Sequence, residues 1–331
     1  MKAVITGGSG FAASHLAEYL LREDQEVIAL VRPDEKDMAN LAGVSSRLRI
    51  ERADVCDPKA IFRVLCDIKP ERLYHLAAMS SPSESLRNPK LAYDVNFGGT
   101  LNVLLALRRL EIDCRLLLVS SAEVYGPVKS EDIPLQEETP LRPSSPYAGS
   151  KAAAEMLALQ FFQNYKMPIV RARPFNHTGP RQAPSFVCSS FARQIAEIDA
   201  GLREPIVQVG NLKVSRDFSD VRDVVRGYYL LLEKGEAGEV YQLGSGHSVS
   251  VERVLQILMA SSSKTISVDV NPSHLRPAEE LDRWGLVHKA EQAVGWKPQF
   301  PLEETLRDLK AYWQKTLLAR NPPARTNALE A

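Results

Sequence analysis

Val4-Ile5-Thr6-Gly7-Gly8-Ser9-Gly10-Phe11-Ala12-Ala13 ends a short apolar run in glycines and restarts as a helix. Gly7, Gly10 and Ala13 fall at G-x-x-G-x-x-[GA], the spacing used where backbone must approach a pyrophosphate at a helix N-terminus. Alanine serves at the third position, where the residue need only allow close packing of helix on strand. A glycine turn after a first strand also has purely structural uses. Here residues 3–6 read as a buried strand, and Ala12, Ala13, Leu16, Ala17 and Leu20 recur at helical spacing after Phe11. That context selects dinucleotide binding.

Outward from this loop, apolar runs at 26–31, 48–52, 72–76, 116–120 and 169–173 alternate with helical patterns such as 101–107 and 151–165. Short apolar strands separated by amphipathic helices predict an α/β fold, a Rossmann-type doubly wound parallel sheet. Beyond residue 174 the rhythm changes to long loops with Pro174, Pro180 and Pro184, and a further run at 239–243 can rejoin the sheet. The expected division is a dinucleotide-binding domain over 1–172 with about 214–245. A smaller interleaved substrate lobe is expected over 173–213 and 246–318. Residues 319–331, with Pro322-Pro323 and few apolar groups, read as a disordered tail.

The 331 residues suffice for a large core, with 44% apolar and 25% charged positions. Lys+Arg and Asp+Glu both total 41, and no basic block points to nucleic acid or to an anionic membrane surface. An anionic substrate must then be held by a few placed cations. Cys56, Cys66, Cys114 and Cys188 form no CxxC pair and no His-containing cluster at ligand spacing, so free thiols and no metal are expected. Met1-Lys2-Ala3-Val4-Ile5 opens as a strand without a charged leader, and no apolar run approaches the about 20 residues of a membrane span. A cytoplasmic protein is expected.

Leu30-Val31-Arg32-Pro33 closes the second strand, where an acid would bond the ribose 2′-hydroxyl of NAD. Arg32 suits a 2′-phosphate, which favours NADP(H), and the nearby Asp34 leaves NAD(H) open. Tyr147-Ala-Gly-Ser-Lys151 sets a phenol and an ammonium on one helix face. The lysine charge is expected to lower the phenol pKa, so that Tyr147 exchanges protons near neutrality. Ser121 ends the fifth strand, at the edge where a parallel sheet binds ligands, with a hydroxyl suited to a reacting oxygen.

Taken together, the chain resembles the extended short-chain dehydrogenases/reductases over nearly its whole length. The resemblance rests on residues 6–13, Asp54-Val55, His75-Leu76-Ala77-Ala78, Asn96-Phe-Gly-Gly-Thr100, residues 120–126, Tyr147 to Lys151, and Arg216-Asp-Phe-Ser-Asp-Val-Arg-Asp223. It implies that Asp54 and Val55 flank the adenine, that Ala77 and Ala78 line the cofactor, and that Asn96 orders the active-site water and helix. It implies Ser121, Tyr147 and Lys151 as the catalytic set, with Phe11 in the cofactor loop. Through equivalents of the helices around 96–108 and 147–165, it also implies a homodimer.

Arg173-Pro-Phe-Asn-His-Thr-Gly-Pro-Arg-Gln182, Phe186-Val187, Val209-Gly-Asn-Leu212 and Leu275-Arg-Pro-Ala-Glu279 resemble the branch that handles GDP-sugars. That branch contains reductases of GDP-4-keto-6-deoxyhexoses and GDP-mannose 4,6-dehydratases. Arg216 and Arg276 suit the two phosphates, because guanidinium binds phosphate in a bidentate way. Glu279 suits a ribose diol, Asn176 a phosphate or sugar oxygen, and the backbone at Phe186 and Val187 the guanine. Ser80, Ser81 and Asn211 complete the expected substrate contacts. His177 reads as a loop histidine satisfied by backbone.

The two reactions differ in what they need. A dehydratase oxidises C4, eliminates water across C5–C6 and returns the hydride to C6. It uses a glutamate two residues after the strand-end hydroxyl, the position of Glu123. The dehydratase pattern there is Thr-Ser-Glu or Thr-Asp-Glu, whereas Ala122 of Ser121-Ala122-Glu123 supplies no polar group. The link from Arg32 to Leu48 also lacks the longer basic insertion of the dehydratases. A reductase needs only hydride and a proton from Tyr147, with Glu123 as a substrate-contacting or structural acid. Reduction is the first expectation, dehydration the second, and C4 epimerisation of another nucleotide sugar the third. A non-catalytic nucleotide sensor on the same fold would tend to lose the Tyr–Lys pair retained here.

Overall fold

Along β1 (Lys2–Thr6), Ala3 and Ile5 enter one apolar core and Val4 the other. A strand buried on both faces belongs inside a parallel sheet, and β1 lies at the centre of one. The computed structural model describes residues 1–272 and 282–320. Its main sheet adds β2 (Glu26–Val31), β3 (Arg49–Arg52), β4 (Arg72–His75), β5 (Arg115–Val119), β6 (Ile169–Pro174) and β7 (Val240–Leu243). All neighbours are parallel, in the order β7-β6-β5-β4-β1-β2-β3. The chain steps outward from β1 through β3, then returns to build β4 to β7 on the other side. That reversal opens a crevice at the carboxyl ends of β1 and β4. Thr6 and His75 are register partners there, so the loops that follow them emerge side by side.

Helices cover both faces. α1 (Phe11–Arg22) and α5 (Val221–Lys234) bring Leu16, Leu20, Val224, Tyr228 and Leu231 into the core of Ile5, Tyr74 and Leu117. On the other face lie α2 (Pro58–Ile68), α3 (Gly99–Leu110) and α4 (Pro146–Tyr165). There Ile61, Leu65, Leu104, Leu107 and Phe161 join the core of Val4, Ile28, Leu73 and Leu118. Local sequence fixes where these helices start. Asp57 caps α2 by accepting from the amides of Lys59 and Ala60, and Ser145 caps α4 by accepting from Ala148 at 3.1 Å. A proline follows each cap, where its missing N–H costs nothing.

The chain divides into two units, the first comprising Met1–His177, Arg216–Ser248 and Asp282–Phe300. Segment 282–300 differs from the sequence expectation, which gave all of 246–318 to the lobe. Its polar composition hides one anchor, the fully buried Trp296, whose indole donates to the Asp223 carbonyl at 2.8 Å. The Asp223 carboxylate accepts from the amides of Gln299 and Phe300 and pairs with Arg226 at 3.0 Å. Residues 173–177 also stay with the first unit, because β6 runs on to Pro174.

The second unit comprises Thr178–Ser215, Val249–Leu281 and Pro301–Ala331. Its helices Val187–Asp199, Val251–Ala260 and Leu302–Arg320 pack on one another. The buried Trp313 donates to Ser189 Oγ at 3.0 Å, and Lys310 pairs with Asp199 at 2.7 Å. The last helix extends two residues into the stretch read as tail; 321–331 lie outside the described residues. So do Arg276 and Glu279. Among the described residues, no helix is long and apolar enough to cross a membrane.

Removing the Asp223 carboxylate strips two backbone amides and leaves Arg226 without its ion-pair partner. Asp223→Ala is expected to destabilise the protein by about 3–5 kcal/mol, read as a lowered midpoint in urea unfolding. Surface substitutions such as Asp34→Ala should stay within about 0.5 kcal/mol.

Candidate active site

Gly7 turns the chain out of β1 with a φ of +68°, and a Cβ there would lie 2.9 Å from the Ala77 Cα. Only glycine fits, and the small Ala77 and Ala78 keep the facing loop close. Gly10 closes the turn by donating its N–H to the Gly7 carbonyl at 2.9 Å. It also caps α1 without any side-chain acceptor for the first amides. Those amides and the glycine cradle fit a pyrophosphate. Gly8, which the motif does not require, is equally constrained, since a Cβ would come within 2.7 Å of the Ala29 methyl. Asn40 adds a tie across the loop by donating to the Ser9 carbonyl at 3.0 Å. Ala13 is buried beneath the loop, and Phe11 stacks on His177, whose Nδ1 lies 3.1 Å from the Phe175 carbonyl.

The crevice walls are joined by a polar chain with a definite direction. Thr6 Oγ1 accepts from the amides of Leu76 and Ala77 and lies 2.8 Å from His75 Nδ1. Its two acceptor positions are filled, so its proton goes to Nδ1. His75 then carries its own proton on Nε2, which donates to Thr100 Oγ1 at 3.1 Å, and Thr100 donates to the Asn96 carbonyl. Burial, with the Lys151 charge nearby, lowers the His75 pKa to about 3, so the ring is neutral. The Asn96 side chain sits in a single π turn and ties Met79 N to Ser150 Oγ, which donates to the Tyr147 carbonyl. Asn96 thus fastens the start of α4 to the loop after β4.

Ser121 caps the short turn Ala122–Tyr125, accepting from the Glu123 amide at 3.1 Å, and hydrogen-bonds the Tyr147 phenol. Burial pushes the phenol up to about 12; the Ser121 bond opposes the shift and the Glu123 charge adds to it. This corrects the expectation that Lys151 brings Tyr147 near neutrality. The Lys151 ammonium is turned to the Val119 carbonyl at 2.8 Å, and burial lowers its own pKa to about 8. The phenol is therefore kept protonated. Glu123 is not a free carboxylate, because Arg283 Nη1 lies 2.6 Å from its Oε1 while Nη2 donates to the Gly126 carbonyl. Arg283 lay unremarked in a loop-rich stretch of sequence; no local pattern flags a partner 160 residues away.

Arg32 stands at the end of β2 with its side chain 62% exposed, 3.4 Å from Glu35 and 3.7 Å from Asp34. Its loop is held by a residue that sequence reasoning missed. Arg52, in register with Val31, donates to the carbonyls of Arg32, Pro33 and Glu35 at 3.1–3.2 Å. Asp54 forms a local turn by accepting from Cys56 N. Val55 is buried against Gly99, and its carbonyl accepts from Asn102.

The expected substrate contacts are distributed over both units. In the first, Ser80 is exposed and Ser81 caps the helix Pro82–Arg87 through Glu84 N. Asn176 is exposed and Arg216 half-buried. In the second, Phe186 and Val187 begin the helix Val187–Asp199, and Asn211 Oδ1 accepts from Lys213 N.

A lysine held at about 8 gives two opposite pH effects. Its charge is lost as pH rises through about 8, so turnover that depends on it falls there. The unfolded lysine keeps its proton to about 10.4, so the unfolded state binds more protons across that window and stability rises with pH. Wild type should therefore gain on the order of 3 kcal/mol over Lys151→Met between pH 8 and 10.5. Parallel pH–rate profiles and denaturant titrations check this.

A family model described as GDP-mannose 4,6 dehydratase matches residues 4–309. GDP-6-deoxy-D-mannose reductase of Pseudomonas aeruginosa is 34% identical over 310 residues, covering 94% of this chain and 96% of that protein. Human GDP-mannose 4,6 dehydratase is 28% identical, covering 97% and 93%. Among solved structures, RMD from Pseudomonas aeruginosa complexed with NADPH superposes with a TM-score of 0.83 at 34% identity, covering 95% of this chain and 99% of that one. UDP-glucose 4-epimerase of Thermus thermophilus, in complex with NAD, reaches 0.84 at 29% identity, covering 95% and 99%. The directed ties around Ser121, Tyr147 and Lys151, behind a glycine cradle, sit on the fold shared with these two solved structures, and the chain belongs to the GDP-mannose 4,6 dehydratase family.

Proposed function

We propose that the protein reduces the C4 ketone of a GDP-4-keto-6-deoxyhexose, of the GDP-4-keto-6-deoxy-D-mannose to GDP-D-rhamnose type, using NADPH. The observation that carries this is the Tyr147 phenol, bonded to Ser121 and pushed up to about 12. Ketone reduction consumes one proton at the oxygen, and such a phenol is always loaded to supply it. When bound, NADPH supplies the hydride for the carbonyl carbon. Ser121 orients the carbonyl oxygen and Tyr147 gives its proton to the forming alkoxide, while Lys151, one helical turn further on, would hold the cofactor ribose. Glycines 7 and 10 hold the pyrophosphate and Arg32 the 2′-phosphate, and the reductase relative covers almost the whole chain.

Dehydration is the second reading, favoured by Glu123 two residues after Ser121. Against it stand the Arg283 ion pair on that carboxylate and the buried methyl of Ala122. GDP as the nucleotide rests on the relatives. A homodimer through α3 and α4, which expose Leu105 and Met156, and a cytoplasmic setting belong to the same proposal.

Purified protein with NADPH and GDP-4-keto-6-deoxymannose is expected to consume NADPH stoichiometrically, with GDP-mannose inert in parallel. Keto-sugar formed from GDP-mannose without net cofactor change would instead establish dehydration. Tyr147→Phe should lower kcat by about 10²–10⁴ with cofactor binding intact; near-normal turnover would refute the mechanism. Arg32→Ala should weaken NADPH by about tenfold and leave NADH unchanged, as measured by fluorescence titration.

A further inference from the structure

The catalytic groups come from two elements, Ser121 from the end of β5 and Tyr147 with Lys151 from α4. One buried arginine touches the continuation of both. Glu155 follows Lys151 by one turn of α4 and is wholly buried. Arg173, on β6 and 4% exposed, donates through Nε to both Glu155 oxygens at 3.0 Å, and through Nη2 to Oε1 at 2.5 Å. Its other nitrogen, Nη1, donates to Tyr125 Oη at 2.8 Å and to the Glu137 carbonyl at 2.7 Å. Tyr125 closes the turn that Ser121 caps. Gln242 of β7 donates to the same hydroxyl, and Arg171 makes a longer contact with Glu155 at 3.4 Å.

We propose that Arg173 is a positioning residue: its two forks set the distance between the Ser121 turn and the helix that carries Tyr147 and Lys151. A buried ion pair stabilises a fold little more than well-packed apolar side chains would, so its placement calls for another reason. A planar guanidinium bridging a carboxylate and a phenol fixes angle as well as distance, which lysine does not. Tyr147, Lys151 and Glu155 lie at i, i+4 and i+8, so a shift at Glu155 moves the catalytic pair along the same face. Arg173 and Tyr125 touch no reacting atom; they act through Ser121 and α4.

The inference rests on Ser121, Tyr147 and Lys151 being the catalytic set, and it holds for either reaction of the preceding section. Wild-type silence with both sugar nucleotides would overturn that assignment, and the inference with it, before any variant is made. Tyr125→Phe removes one hydroxyl and spares the Arg173–Glu155 pair. It is expected to lower kcat per folded molecule by about tenfold to a hundredfold with KM for NADPH close to wild type, and to lower the melting temperature modestly, because the buried Gln242 amide loses its acceptor. Arg173→Lys, which keeps the charge on Glu155 and loses the fork, should lower kcat equally. The double variant should be no slower than the worse single, since both break one linkage. Wild-type kcat in Tyr125→Phe would overturn the proposal. Multiplied losses in the double variant would do so too, as would a fall in melting temperature with kcat per folded molecule unchanged.

Discussion

The approach of Gly7 to the backbone of Ala77 is the constraint on which the rest depends. With less than 3 Å between a notional Cβ and the neighbouring Cα, the loops after β1 and β4 can run together only without a side chain on the first. Just before that meeting point Thr6 and His75 stand in register on β1 and β4, and Thr6 Oγ1 takes the amides of Leu76 and Ala77; through His75, Thr100 and Asn96 the order passes to the first turn of α4. A missing methyl group on one strand end is thereby linked to the attitude of a phenol on a helix at the other side of the crevice.

Charge inside the site is handled by burial and by partners chosen one at a time. The lysine donates to a strand carbonyl, the glutamate to which Tyr147 is sensitive pairs with Arg283, and the histidine between the walls is neutral. Burial makes ionisation of the phenol and of the histidine costly, and makes loss of the lysine's charge easier. The phenol keeps its proton, while the nearby lysine is poised to lose its charge just above physiological pH.

Much of this was legible in the sequence, because it is local. Strand bounds such as Glu26–Val31 and the helix Phe11–Arg22 coincide with the pattern of apolar residues, since a strand buried on both faces and an amphipathic helix each leave a periodic trace. The glycine spacing and the Tyr–Lys interval are likewise set within a single element. What escaped is set by contacts between distant positions. Arg283 against Glu123, Arg52 on the loop of Arg32, and Trp296 returning 282–300 to the first unit have no periodicity. The direction of the Tyr147 shift escaped as well, because spacing gives proximity along a helix and says nothing of where an ammonium turns.

The first unit is assembled from three separated stretches of chain, and this has a consequence for synthesis. β6 is complete at Pro174, but its outer neighbour, Val240–Leu243, is translated some 70 residues later. At about 5–20 residues per second, a nascent chain carries that bare edge for on the order of 10 seconds. Trp296, which seals the face beneath α5, arrives later still. During that interval the polypeptide presents an unpaired strand and an uncovered apolar sheet, the two features that most invite association with other chains. Production of this protein in a host should therefore depend on chaperone capacity at the ribosome more than its finished stability would suggest.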